Sequence, residues 1–123
     1  MMVEAALVSV PFFVLIIGII GAAYLVFTYN TVAFMAQQGG RWASVHGSTS
    51  GAQADATAVS NYVKSQGAGL AAGTVTVNTT WTPNASPGSA VKVDVLYSIS
   101  DPLAAVLPEP ISFHCSSAMT ILR

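Results

Sequence analysis

The run EAALVSVPFFVLIIGIIGAAYLVFTYNTVAFMAQQGGR, residues 4–41, has a carboxylate at its head, Arg41 at its end and no charged side chain between them. From Ala5 to Phe27 it is almost wholly apolar (Leu7, Val8, Phe12, Phe13, Leu15, Ile16, Ile17, Ile19, Ile20, Leu25, Val26), and roughly 20 such residues suffice to cross a bilayer. The reading is a membrane-inserted helix with one acidic group, Glu4, near its end. A secretory signal peptide would open on basic residues and carry a shorter apolar stretch ending in a small-residue cleavage motif. The front here is Met1, Met2, Val3 and Glu4, and no such peptide is expected.

Helical spacing continues past the apolar run. Tyr24, Phe27, Thr31, Phe34, Met35, Gln38, Trp42 and Val45 fall within an arc of about 100° at 3.6 residues per turn. A single helix from near Met2 to near Val45 would be roughly 60 Å long, about twice the hydrocarbon thickness of a bilayer. Its outer half is therefore expected to leave the membrane and turn its bulky stripe toward a head domain. Ala33, Ala36, Gly40 and Ala43 line the other side, small residues that let a second helix approach closely. Pro11, Gly18 and Gly21 lie in the apolar half, where a kink or a locally extended stretch is expected.

Ser48 to Gly51 break this helix. Ser50 and Gln53 have the spacing of a capping box, with Asp55 in the following turn, so a second helix is expected to start near Gly51. Ala52, Ala56, Val59, Tyr62 and Val63 form its apolar stripe, and Gly67 terminates it. Beyond it the pattern changes to period two. Val75, Val77, Thr79 and Trp81 share one face; so do Val91, Val93, Val95, Tyr97 and Ile99, and again Ile111, Phe113, Cys115, Met119 and Ile121. A turn through Pro83, Asn84, Ser86, Pro87 and Gly88 joins the first two strands, and a longer connection from Asp101 to Pro110, with Leu103, Val106 and Leu107, joins the last two. The fold class is α+β: a long N-terminal helix over 1–46, and over 47–123 a small head of one short helix on a three-stranded antiparallel sheet.

Composition excludes several functions. Four basic residues against five acidic ones cannot form the basic patch that grips nucleic acid. Cys115, the only cysteine, rules out an internal disulfide framework and a multi-cysteine zinc site, and its apolar neighbours favour a buried, inert thiol over an intermolecular disulfide. His46 and His114 lie far apart in the sequence, without spaced carboxylates or thiols, so no metal is expected. No nucleophile turn surrounds a serine and no glycine-rich phosphate loop occurs; neither catalysis nor a cofactor is expected. Asn78-Thr79-Thr80 and Asn84-Ala85-Ser86 match the glycosylation sequon, a pattern common by chance. The tryptophans and tyrosines have the spacing of core residues.

An acid at the mouth of a long N-terminal apolar helix, followed by a small helix-and-strand head, is the plan of type IV pilins and pseudopilins. Val3-Glu4-Ala5-Ala6-Leu7-Val8, Pro11, Gly18-Ile19-Ile20, Phe27-Thr28-Tyr29-Asn30-Thr31, Ala36 and Gly40-Arg41-Trp42-Ala43 resemble the TadE-like pilins of tight-adherence systems, and the ending from Thr74 to Arg123 is similar to theirs. Two departures stand out. Gly21-Ala22-Ala23 occupies a place where many such proteins carry an acid, and the glutamate is fourth, not fifth, if Met1 is the mature start. The chain is read as a processed form.

The resemblance implies that Glu4 pairs with the N-terminal ammonium, on Met1, of an adjacent subunit and so checks register as subunits add. A carboxylate within hydrocarbon costs about 2.5 to 3.5 kcal/mol at a helix centre and less near its end, which is the physical reason to expect a partner. The expected assembly residues are Glu4, Met1, Pro11, Ala33, Ala36, Gly40 and Ala43. The expected partners are identical subunits in a helical homopolymer, the bacterial inner membrane before assembly, and pilus assembly machinery. The resulting expectation is an extracellular adhesive filament. Its rivals are a minor pseudopilin that primes or tips a fibre, and a membrane-tethered binding domain that never polymerises.

Overall fold

The computed structural model describes residues 1–70, 74–99 and 109–122. Five elements follow in order: helix α1 (Met2–Val45), helix α2 (Ala56–Ser65) and strands β1 (Val75–Thr82), β2 (Ala90–Ser98) and β3 (Ser112–Thr120). The α+β plan and the extent of the long helix agree with the sequence pattern. By packing, the chain divides within α1 into two compact units, Met1–Asn30 and Thr31–Arg123.

The first unit is helix alone. Its backbone is α-helical through Pro11, Gly18 and Gly21, so the locally extended stretch expected there is not formed. Pro11 removes only the rung to the Leu7 carbonyl, and each glycine costs about 1 kcal/mol against alanine, too little to interrupt a ladder otherwise complete. Ser9 Oγ and Thr28 Oγ1 donate to the carbonyls of Ala6 (2.9 Å) and Tyr24 (2.9 Å), satisfying both hydroxyls within the helix. Val8, Phe12, Phe13, Ile17 and Ile20 all remain exposed.

The second unit is built on an antiparallel meander in the order β1-β2-β3. Its register sets Val77 opposite Val95 and Val95 opposite Cys115. Side chains alternate faces along a strand, so this register gathers Val91, Val93, Val95 and Tyr97 of the central strand on one buried face. Val59 and Val63 of α2 are also fully buried, as are Val32, Met35 and Ala43 of α1, with Ala36 nearly so. The turn between β1 and β2 is closed by Asn84, whose Oδ1 accepts from the Ser86 amide (3.1 Å) and the Ser89 hydroxyl (2.8 Å). Gly88 there has φ +89°, a conformation open to glycine.

Helix α2 begins later than the capping-box pattern suggests. Asp55 is its N-cap, accepting from the Ala56 amide, while Ser50 Oγ donates back to the Gly47 carbonyl (2.8 Å). Gly51, at φ +77°, separates the two helices. Ala52 is therefore exposed and outside the helix, whereas Gln66 and Gly67 end it as expected. The connection containing Leu103, Val106 and Leu107 lies outside the described residues.

Candidate functional site

Two surfaces of α1 carry the residues singled out from the sequence. At the N-terminal end Met1, Met2, Val3 and Glu4 are all exposed, and Pro11 sits on the same uncovered helix. The apolar stretch is long enough to cross a membrane, and none of it is covered within the chain. Glu4 is the acid of the first helical turn, where the positive end of the helix dipole favours it. Among the described residues it has no ion-pair partner.

The small residues lie elsewhere than expected. Ala36 and Ala43 are 1 % and 0 % exposed, and Gly39 and Gly40 are buried with them. A Cβ on Gly39 would stand 2.5 Å from Val63 Cγ2 and 3.2 Å from Val93 Cγ1; one on Gly40 would stand 3.0 Å from Ser117 Oγ. Gly39 thus fits α1 against α2 and β2 and Gly40 fits it against β3, with Ala36 and Ala43 buried within the same chain, so this face is already covered without a neighbouring helix. Ala33 is half-buried. Conversely, much of the bulky stripe assigned to the head is exposed: Phe34 by 47 % and Val45 by 44 %. Met35 is the exception, buried with its terminal methyl where a Gly67 side chain would be. Helix and sheet backbones come close only where Cβ volume is absent, so the glycine face wins the inner position.

Trp42, also in the stripe, is half-buried in a ring stack. Its indole lies 4.2 Å from the His46 ring at 19° and 5.3 Å from the Tyr62 ring at 18°. His46 Nδ1–H donates to the Trp42 carbonyl (2.8 Å), which fixes its tautomer. The four-residue interval from Trp42 to His46 signals this pairing; the Tyr62 contact, made by α2, has no sequence signal.

The outer face of the sheet holds a charged cluster that sequence reasoning missed. Asp94 Oδ1 is 3.2 Å from Lys92 Nζ and 3.6 Å from His114 Nε2. Oδ1 is buried without a well-aligned hydrogen-bond donor, so the Lys92 contact is ionic in character, and with Lys92 half exposed it adds little stability. Lys92 and Asp94 share a face by their two-residue interval; His114 joins through the β2–β3 register. No three His, Cys, Asp or Glu side chains among the described residues form a metal-binding group. Cys115 is half-buried, and that burial pushes its thiol pKa above the ordinary value.

Residues 1–41 match the family model of TadE-like proteins. The matched segment contains Glu4, Pro11 and Arg41, and bears out the resemblance carried by the N-terminal motifs. The strand region from Thr74 onward is not part of that match. No curated protein and no solved structure matches the chain.

Proposed function

We propose that this chain is a pilin, a structural subunit held in the bacterial inner membrane by α1 and then polymerised through that helix into an extracellular filament for surface attachment. The observation that carries the reading is the match to TadE-like proteins over the very helix whose apolar surface the chain leaves uncovered. Outside a bilayer that surface costs about 25 cal/mol per Å² of apolar area, which only packing with like helices relieves. A contact repeated by a screw operation does not close, and gives a filament. Glu4 then takes its counter-ion from a sister chain: the resemblance implies the Met1 ammonium of the adjacent subunit. In an apolar interior such a pair selects the correct neighbour more than it adds net stability.

The same match favours a second reading, a minor pseudopilin that primes or tips a fibre built of another protein. Shearing surface appendages from cells, imaging them and weighing their main component separates the two. A filament made chiefly of this chain is the expected result. A trace in a fibre of another protein selects the pseudopilin, and a detergent-extractable chain with no sedimentable polymer selects a tethered domain and overturns both.

A further inference from the structure

We infer that Arg41 of one chain is a docking point for the N-terminal end of a second copy, receiving the Glu4 carboxylate on an apolar platform formed with Phe34 and Val45. The inference rests on the filament reading and names a contact within it. Glu4 and Arg41 are the only charged residues of α1, opposite in sign and near its two ends. Both are exposed, and neither has an ion-pair partner among the described residues. Each is thus a charge that the described residues of its own chain leave unbalanced.

Their surroundings match as well. Arg41 lies seven residues after Phe34 and four before Val45, intervals that set all three on one side of an α-helix. Phe34 and Val45 are 47 % and 44 % exposed. Glu4 has the same kind of neighbours one turn on: Leu7 is 76 % and Val8 69 % exposed. Joining the two patches buries apolar surface on both sides and leaves the carboxylate facing a guanidinium, whose planar fork suits it. The small-residue face cannot serve as this docking surface, because Ala36, Gly40 and Ala43 are already buried within their own chain, Gly40 against β3. A carboxylate has two oxygens, so an adjacent ammonium and a guanidinium from a more distant sister chain are compatible partners.

For parallel helices, setting residue 4 against residue 41 sets residue 8 against residue 45. The test is to co-assemble two differently tagged full-length chains, Val8→Cys and Val45→Cys, each in a Cys115→Ala background, and to oxidise the sedimented polymer. A mixed disulfide carrying both tags is expected. Arg41→Gln should lower its yield per unit of polymer about tenfold, and Arg41→Lys should retain most of it, as loss of a close charge pair implies. Polymer that forms without the mixed disulfide, or whose disulfide is indifferent to Arg41→Gln, overturns the docking and assigns Arg41 to lipid phosphate or solvent; the filament reading survives. No polymer from the unsubstituted chain overturns the filament reading, and the docking with it.

Discussion

Gly39 and Val63 approach so closely that any side chain at position 39 forces its neighbours to shift: a Cβ there would lie 2.5 Å from Val63 Cγ2 and 3.2 Å from Val93 Cγ1. Both valines are fully buried, so neither can swing into solvent. Overpacking of this kind costs about 1–3 kcal/mol, against which alanine regains about 1 kcal/mol of helix propensity. Gly39→Ala should therefore destabilise the unit by about 1 kcal/mol, lowering its melting temperature by about 4–8 °C. The near-ultraviolet signal of Trp42 and Trp81, in the detergent-solubilised chain, reports it.

Gly40 separates local space from overall position. Its nearest neighbour is the Ser117 hydroxyl, 3.0 Å from a built Cβ, which can rotate aside. Gly40→Ala is accordingly expected to be near neutral. Gly40→Leu instead drives a branched side chain into Ser117 and Met119, costs about 3 kcal/mol, and should abolish the tryptophan signal. If it leaves that signal intact while blocking filaments, the residue faces a neighbouring subunit after all.

The strands were legible because period-two alternation is strict: all five inner positions from Val91 to Ile99 are buried. The start of α2 was not. Ser50 and Gln53 carry capping-box letters, but the Ser50 hydroxyl bonds backward to Gly47 and Gly51 takes positive φ, so the true cap is Asp55. Nor were the two faces of outer α1. Amphipathic reading assigns large apolar residues to the interior, whereas a helix lying close on a sheet needs glycine and alanine there, leaving Phe34 and Val45 outside. Periodicity finds the faces of a helix; it does not say which partner takes which.

Asp55 offers a test of the corrected boundary. It caps α2 through the Ala56 amide alone, at 2.8 Å, rather than through the amides deeper in the first turn. Asp55→Ala should thus cost at the low end of capping values, about 0.5–1 kcal/mol, with Asp55→Asn closer to neutral. Ser50→Ala, the change that a capping box there would make costly, should do less. Thermal melts of the three variants order them.

Cys115 gives a pH dependence whose sign follows from burial. Its folded-state pKa is raised above the ordinary value of 9.0 by desolvation of the thiolate. A raised folded value means that the unfolded chain loses its proton first, so this contribution is complete below pH 9.0 and is lost as pH rises through the folded value. Stability measured from pH 8 to 11 should fall more steeply for the parent than for Cys115→Ala. Alkylation by iodoacetamide at pH 8 should also be slower than for an unfolded peptide, and equal rates would show an exposed, ordinary thiol.

Glu4 tests the assembly mechanism most directly, because its effect must appear in one compartment and not in the other. Removing the carboxylate spares the helix a desolvation cost of up to about 2.5–3.5 kcal/mol, so Glu4→Ala should insert into membranes at least as well as the parent. Once subunits pack, the same change deletes the charge that distinguishes a correctly placed neighbour from one shifted along the helix. Filament yield should then fall by about tenfold or more, the factor that a loss of 1.4 kcal/mol or more per contact gives. Glu4→Gln should behave like Glu4→Ala if charge is what matters, and like the parent if hydrogen bonding suffices. Membrane fractionation and quantification of sheared filaments from the same cultures give both readings, and a Glu4→Ala strain with normal fibres would remove the counter-ion mechanism.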